Sequence, residues 1–166
     1  MKFIFVTILF AITSGQLYSF VDSTAFEPEP YAAEIDIKYQ DALSLKSSYM
    51  KKNLFENIED NYSITIDVYF DGDYIGFVES HEDDNGSISE EEFFFIEGKM
   101  VLSIFKKKST EDEDYSYYKC YFLDQMMVYM IDDKEEKYYN DSKEFKKAQE
   151  RVSWRISEMM DLLYGE

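Results

Sequence analysis

The sequence contains only one cysteine, Cys120, and only one histidine, His81, in 166 residues. One cysteine cannot form an intramolecular disulfide, a CxxC redox pair or a cysteine zinc cluster. No P-loop, GxGxxG or HExxH motif occurs, and a serine nucleophile would have to use His81 without an elbow motif around any serine. We therefore predict that the protein is not an enzyme, and we interpret Cys120 as a packed, unreactive thiol.

Basic residues are also scarce, since 17 Lys and Arg stand against 35 Asp and Glu and leave a formal net charge of -18. This field repels a phosphate backbone, so we predict no nucleic-acid partner. Runs of acids such as Glu90 to Glu92 offer carboxylate pairs for acid–base chemistry, but such runs are usually solvated strand ends. Aromatic residues make up 18% of the chain, which favours a folded globular domain despite the charge.

The N-terminal part of the sequence has the pattern of an export signal followed by a linker. Met1-Lys2 precedes a short apolar run, residues 3–12, and small residues follow it. We predict a signal peptide over 1–19 and a linker over 20–30, which holds both prolines. The run is too short to span a bilayer, so we expect an exported protein, periplasmic or secreted, with no membrane span in the mature chain. A buried first strand or an uncleaved anchor is the alternative.

One pattern occurs three times between Ile64 and Ile131. Each copy is an aromatic residue, an acidic residue two positions later, and an apolar pair five and six positions later. The copies begin at Tyr69, Phe95 and Phe122, which lie 26 and 27 residues apart. A unit of this length accommodates one β-hairpin and its connection, so the repeat predicts three hairpins and six strands.

The turns of these hairpins are predicted at Asp71-Gly72, Glu97-Gly98 and Asp124-Gln125, because two-residue hairpin turns require residues with positive φ. The cross-strand pairs predicted for one face are Tyr69 with Tyr74, Phe95 with Met100, and Phe122 with Met127. Those predicted for the other face are Val68 with Ile75, Phe94 with Val101, and Tyr121 with Val128. Both faces are apolar, so the sheet needs cover on both sides or presents one side to a ligand or partner.

Helices are predicted on both sides of the hairpins. Residues 31–57 contain no Gly or Pro and have moderate helical spacing, which indicates one helix or two with a break near Ser47-Ser48. After a charged connection over 132–139, Asp141 as N-cap and Glu144 form a predicted capping box. One apolar stripe follows, made of Phe145, Ala148, Val152, Ile156, Met159 and Leu163. We therefore predict a single α+β domain over 31–166: an N-terminal helical segment, a six-stranded antiparallel β-meander of three hairpins, and a C-terminal amphipathic helix packed across the sheet.

Three aromatic residues are candidates for partner binding. Trp154 lies opposite the apolar stripe of the C-terminal helix, where an exposed tryptophan can anchor an interface or can cover a neighbouring element. Tyr69 and Tyr74 belong to a predicted aromatic sheet face that could line a groove for an apolar ligand, receive a partner, or be covered by the N-terminal helix. The members of that face are Tyr69, Tyr74, Phe93, Phe95, Leu102, Phe122 and Tyr129.

Residues 81–92 partly match the calcium-binding loop of an EF-hand. Asp83, Asn85, Gly86 and Glu92 fall at ligand or turn positions of that loop. His81, however, takes the first ligand position, and no second loop is visible. We favour the alternative in which residues 83–86 form the turn between two hairpins, and we predict no metal ligands and no cofactor.

Residues 90–104 and 121–132, read together with Ser142-Lys143-Glu144-Phe145, resemble a family of uncharacterised exported bacterial proteins. Members of that family have two successive aromatic strands with a Phe-Asp-Asn-Gly-Lys-Leu-like turn, followed by an acidic stretch and a Ser-Lys-Glu-Phe helix. The third copy departs from the pattern at Asp124-Gln125. The resemblance implies a secreted or periplasmic location and a hairpin meander with flanking helices. The family has no assigned activity, so no functional residues carry over.

The features above favour an exported, non-catalytic binding or interaction module whose partner is an unknown protein. One alternative is a carrier of an apolar small molecule or lipid between the sheet and the helices. The other is a calcium-binding protein with a single EF-hand-like loop at 81–92.

Overall fold

A computed structural model describes residues 26–110 and 116–164 of the chain. They form two α-helices, α1 (Pro28–Leu45) and α2 (Lys143–Tyr164), and a short 3-10 helix (Lys46–Ser48). They also form eight β-strands: β1 (Met50–Glu59), β2 (Tyr62–Asp71), β3 (Tyr74–Asp84), β4 (Ser87–Ile96), β5 (Lys99–Lys108), β6 (Ser116–Leu123), β7 (Met126–Asp132) and β8 (Lys137–Tyr138). The predicted signal peptide, 1–19, lies outside the described residues.

The eight strands form one antiparallel sheet in which each strand pairs with its neighbours in the sequence. The prediction of an α+β fold with an antiparallel meander and a helix at each end is confirmed. The predicted number of six strands is wrong, because β1 and β8 extend the sheet at its two edges. No helix of residues 26–110 and 116–164 is long and apolar enough to cross a membrane.

Strand β1 occupies a segment predicted to be helical. Helical spacing does hold from Pro28 to Leu45, but from Met50 the chain pairs with β2 instead. At the edge of a sheet neither face of a strand needs to be strongly apolar, so β1 lacks the alternation that marks the inner strands. At the other edge, β8 is two residues long and lies inside the predicted charged connection.

Two of the three predicted hairpin turns are confirmed. Glu97 and Gly98 both have positive φ, as do Asp124 and Gln125, although two non-glycine residues form the second of these turns. The first turn is displaced by one residue, because Asp71 pairs with Tyr74 and the loop consists of Gly72 and the residue after it. The predicted pair of Tyr69 with Tyr74 is therefore wrong.

A β-bulge follows each of these three turns, and the sequence did not reveal it. In each hairpin the second strand has one extra, unpaired residue: Gly76 in the first hairpin, Val101 in the second and Val128 in the third. The predicted pairs of Phe95 with Met100 and of Phe122 with Met127 precede the bulges and are confirmed. Beyond the bulges, the observed pairs are Tyr69 with Phe77, Val68 with Val78, Phe94 with Leu102, and Tyr121 with Tyr129.

The bulges also change which side chains share a face, since one extra residue reverses the alternation of a strand. The predicted pairs Val68–Ile75, Phe94–Val101 and Tyr121–Val128 are therefore wrong. The predicted aromatic face is divided in the same way. Phe93, Phe95 and Phe122 lie on the side of the sheet that α2 covers, whereas Tyr69, Leu102 and Tyr129 lie on the side that α1 covers.

Helix α1 packs on one face of the sheet. It begins at Pro28, so the last three residues of the predicted linker are already helical. Proline fits there because the first turn of a helix has no intrahelical partners for its N–H groups. The Tyr31 hydroxyl donates a hydrogen bond to the Phe122 carbonyl and fixes this end on the sheet. The buried residues of this layer are Ala32, Ile35, Tyr39, Phe77, Phe94, Leu102, Ile104, Tyr121 and Tyr129.

Helix α2 covers the opposite face with the predicted apolar stripe. Phe145, Ala148, Val152 and Met159 are buried against the sheet, and Ile156 and Leu163 are partly buried against the same cluster. The N-cap is Ser142 and not Asp141, because the Ser142 hydroxyl accepts a hydrogen bond from the Phe145 amide at 3.1 Å. The domain is thus a helix–sheet–helix sandwich, which explains why both sheet faces are apolar.

Candidate interaction site

A groove lies between the middle of α2 and the ends of β2 to β5. Its volume is about 590 Å³. We call it the Trp154 groove and define it by six of its lining residues: Tyr62, Glu91, Phe105, Arg151, Trp154 and Arg155. The α2 helix positions three of these residues and the sheet positions the other three, so the groove exists only where the two layers meet.

Trp154 forms the exposed rim of this groove. It is the only tryptophan of the chain, and 64% of its surface is accessible to solvent. Its position on α2, opposite the buried stripe, is the one predicted from helical periodicity. The carbon of the Arg155 guanidinium lies 5.9 Å from the centre of its ring, within the range of a cation–π contact.

The floor of the groove is a buried ion pair between Glu91 of β4 and Arg155 of α2. Glu91 is 3% exposed and Arg155 is 6% exposed. The Arg155 Nε donates to Oε2 of Glu91 at 3.1 Å, and the rest of the guanidinium donates to the Ser80 hydroxyl at 2.8 Å and to Glu158 at 2.6 Å. All three nitrogens of the guanidinium therefore donate a hydrogen bond. Two of the acceptors belong to the sheet, so these bonds hold α2 in one orientation on it.

Burial raises the pKa of the Glu91 carboxyl, although the nearby Arg151 and Arg155 oppose this change. Within residues 26–110 and 116–164, its second oxygen, Oε1, has no hydrogen-bond partner, and it lies 3.5 Å from the Nε of Arg151. A carboxylate in such surroundings depends on its neighbouring cations to remain ionised. Because both arginines belong to α2, the ionisation of Glu91 depends on the docking of this helix on the sheet.

Arg151 forms one wall of the groove. Its guanidinium carbon lies 3.5 Å from the centre of the Phe105 ring, so the two groups stack. Arg151 and Arg155 are the only arginines of the sequence. They lie four residues apart, which places both on the same side of α2 and next to Trp154. Arginine suits such a wall because its planar group can stack and form an ion pair at once.

A second, smaller hollow of about 240 Å³ lies on the α1 face. At its side, Lys46 forms an ion pair with Glu79 and a second one with Glu92, at 3.1 Å. Burial and the hydrogen bond with Glu79 raise the pKa of Glu92. Burial opposes the ionisation of Glu79, but hydrogen bonds from Glu92 and Lys46 outweigh it and lower the pKa of Glu79. These ion pairs join the 3-10 helix that follows α1 to the sheet, although Oε1 of Glu92 has no hydrogen-bond partner among the described residues.

The acidic run Glu90 to Glu92 is divided between the two faces of β4. Glu91 points toward α2, whereas Glu92 meets Lys46 on the α1 side. Strand geometry places neighbouring side chains on opposite faces, so Glu91 is separated from Glu90 and Glu92, which both line the hollow on the α1 face. In the part of the chain that the structure describes, no group of three or more His, Cys, Asp and Glu side chains could hold a metal ion.

Residues 81–92 form a β-hairpin, so the EF-hand hypothesis for this segment is wrong. They belong to β3 and β4, which a two-residue turn at Asn85 and Gly86 connects, and both turn residues have positive φ. The Asp83 carboxylate accepts a hydrogen bond from the Gly86 amide at 2.7 Å and thereby supports the turn. The favoured alternative, a turn between two strands, is confirmed, but the predicted range 83–86 is too long, because residues 83 and 84 belong to β3.

The three predicted binding residues do not form one surface. Tyr69 is partly buried on the α1 face, where the Lys46 amino group lies 4.7 Å from its ring centre. Tyr74 is exposed next to the first turn, at the end of the sheet away from the Trp154 groove. Trp154 lies on the outer side of α2. Only Trp154 combines exposure with a groove.

The space between the sheet and each helix is occupied by core side chains. Among the described residues, the two hollows that border the helices are lined mainly by charged and polar groups. A carrier of an apolar molecule needs an apolar cleft in that place.

Sequence reasoning located Trp154 but missed the residues beneath it. Glu91 and Arg155 are 64 positions apart in the chain, so no local pattern links them. One signal was present, namely that both arginines of the sequence flank Trp154 on one helix.

Comparison with protein-family models, curated proteins and solved structures gives no match for this chain. The resemblance to exported bacterial proteins and the predicted export both stay predictions.

Proposed function

We propose that the protein is a non-catalytic interaction module that binds a protein partner through the Trp154 groove. The observation that supports this proposal is the exposure of the only tryptophan, 64% accessible, at the rim of a groove with a rigid floor. Tryptophan and arginine are enriched among the residues that dominate binding energy. The lining of the groove contains the tryptophan, Trp154, and two arginines, Arg151 and Arg155.

The charge of the molecule favours a neutral or basic polypeptide as the partner. The lining of the groove holds four acidic residues, Glu82, Asp84, Glu91 and Glu158, and three basic residues, Lys107, Arg151 and Arg155. The chain as a whole carries a formal charge of -18. Its field steers basic partners toward the surface, and the nearly balanced groove gives them a place to dock without strong repulsion. We expect this binding outside the cytoplasm, in line with the predicted export signal.

Affinity capture tests the role of the groove. The wild-type protein, Trp154→Ala and the matched control Tyr74→Ala are immobilised and exposed to the culture medium and cell envelope of the native source. Tyr74 is also an exposed aromatic residue, but it lies outside the groove. We expect Trp154→Ala to lose a bound protein that wild type and Tyr74→Ala retain. Identical sets of bound proteins for all three would contradict the proposal.

Intrinsic fluorescence then tests where the captured partner binds. Trp154 is the only tryptophan of the chain, so emission excited at the tryptophan band reports on the groove alone when the partner fragment has no tryptophan. We expect a blue shift on titration, because the partner removes water from the indole ring. Binding detected by calorimetry without any change in emission would place the partner elsewhere.

A further inference from the structure

The outer side of β1 is an open sheet edge. In the part of the chain that the structure describes, β2 is the only strand neighbour of β1, and the hydrogen bonds outside the strand ladders include no backbone group of Met50–Glu59. The strand is 10 residues long. An edge of this length presents a row of backbone donors and acceptors to another strand.

This edge also exposes large apolar side chains. Met50, Phe55 and Ile58 are exposed large hydrophobic residues, and Ile58 is 71% accessible. Strand β1 carries four charged residues and a β-bulge at Leu54, but it does not follow the rule that natural edge strands are usually short. The opposite edge of the same sheet follows this rule, since β8 has only 2 residues. The two edges therefore differ in their ability to accept a strand.

The charges of β1 change sign along its length. Lys51 and Lys52 lie in the first half, whereas Glu56 and Glu59 lie in the second half. A second copy of β1 that runs in the opposite direction places its acidic half beside the basic half of the first. Parallel pairing would instead bring like charges together, which is unfavourable.

We propose that β1 pairs with β1 of a second copy of this chain, antiparallel and about a two-fold axis, so that two sheets become one continuous sheet. This interface uses none of the six residues that define the Trp154 groove, and it goes beyond the proposed function. An isologous contact of this kind closes after two chains. The 2-residue β8 at each outer end is too short to continue the assembly.

The pairing with β2 defines the faces of β1 and thereby the register of the dimer. Side chains opposite α2-face residues of β2 are Met50, Lys52, Phe55, Asn57 and Glu59, and Leu54 packs against the same cluster. Side chains opposite the α1 face are Lys51, Asn53, Glu56 and Ile58. With Leu54 opposite Phe55 at the axis, every opposing pair lies on one face: Met50–Glu59, Lys51–Ile58, Lys52–Asn57, Asn53–Glu56 and Leu54–Phe55.

This register also places opposite charges on diagonal positions. Lys52 then lies diagonal to Glu59 of the second copy on the α2 face, and Lys51 lies diagonal to Glu56 on the α1 face. Diagonal neighbours are within reach of long side chains. The aliphatic stem of Lys51 would cover Ile58, the most exposed apolar residue of the strand.

Sedimentation equilibrium of the purified protein, in a buffer of physiological ionic strength, tests the dimer. We expect the mass of two chains in wild type and a self-association constant about tenfold or more lower in Ile58→Lys, since the two-fold axis doubles the effect of each substitution. The matched control is Ile37→Lys, at an α1 position that is 64% exposed and remote in sequence from β1; it should dimerise as wild type does. A monomer up to about 1 mM, an equal loss in both variants, or growth beyond two chains would overturn the proposal.

A charge exchange tests the antiparallel pairing itself. Lys52→Glu and Glu59→Lys each bring like charges together in their own dimer, so we expect each to self-associate roughly tenfold more weakly than wild type. An equimolar mixture of the two variants restores both opposite-charge pairs and should form a heterodimer of wild-type stability. Variants that dimerise as well alone as in the mixture would contradict the register.

Discussion

Replacing Arg155 by leucine would leave Glu91 buried without its main partner. Both groups are almost fully covered by α2 and the sheet, at 6% and 3% exposure, so solvent cannot replace the lost contact. Of the cations that the structure describes, Arg151 alone would remain in an ion pair with the carboxylate, with Nε 3.5 Å from Oε1. Arg151 is itself partly exposed and stacked on Phe105, so its ability to move toward Glu91 is limited.

The size of the effect follows from this geometry. At the observed 3.1 Å between Nε and Oε2, the gross attraction is about 5 kcal/mol for an effective dielectric constant near 20. Removing one partner of a buried pair typically costs about 3–5 kcal/mol. We expect Arg155→Leu to lower the free energy of unfolding by about 3 kcal/mol and Glu91→Leu by about 2 kcal/mol, because Arg155 keeps Ser80 and Glu158 as partners.

The double variant distinguishes an ion pair from two independent contributions. A leucine pair leaves no uncompensated charge, so its cost should be about 2 kcal/mol and well below the sum of the two single effects. Urea unfolding followed by far-UV circular dichroism measures all four proteins. Arg151→Leu is the matched control on the same helix, and its cost should be about 1 kcal/mol or less, since its side chain is partly exposed.

The pH dependence identifies the charge that is left behind. Burial already raises the pKa of Glu91, and removing Arg155, which lowers it, would raise it further. A carboxyl whose pKa is higher in the folded state than in the unfolded state stabilises the fold at low pH, and this stabilisation is lost as the pH rises through the folded pKa. The cost of Arg155→Leu should therefore be smaller at about pH 5.5 than at about pH 8. Equal costs at both pH values, or strictly additive single effects, would refute this account of the groove floor.

Two further predictions concern the sheet. A Cβ atom at Gly76 would lie 2.9 Å from the Tyr49 ring, so Gly76→Ala should destabilise the protein by about 1–2 kcal/mol in urea unfolding. The same substitution in a Tyr49→Ala background should cost clearly less; an unchanged cost would exclude the ring as the cause. Cys120 is fully buried and burial raises the pKa of its thiol, so a thiol reagent at about pH 8 should react only after unfolding. Rapid reaction of the native protein would contradict the buried location of Cys120.

The hairpins and α2 could be predicted because their signals are local. A two-residue turn forms where residues that accept positive φ stand between segments of alternating apolar and polar residues. Glu97 and Gly98 are an example, since both have positive φ in the structure. A stripe of apolar residues at helical spacing identifies the buried face of α2 and, by exclusion, the exposed position of Trp154. Both arguments need only residues within a few positions of one another.

The errors share a physical cause. The bulges at Gly76, Val101 and Val128 each lie three residues after a hairpin turn, but both faces of the sheet are apolar, so the alternation of the sequence does not reveal the reversal. Strand β1 takes its conformation from β2, because its own sequence has no strong alternation.

The sequence by itself determined the antiparallel meander, the apolar face of α2 and the outward position of Trp154, because short-range periodicity and turn chemistry encode them. Only the tertiary structure decided that Glu91 and Arg155 meet beneath that tryptophan, and that β1 is the edge strand of the sheet that the described residues form. These features depend on contacts between distant segments. Such contacts form only when the helices dock on the two faces of the sheet, and they create the groove on which the proposed function rests.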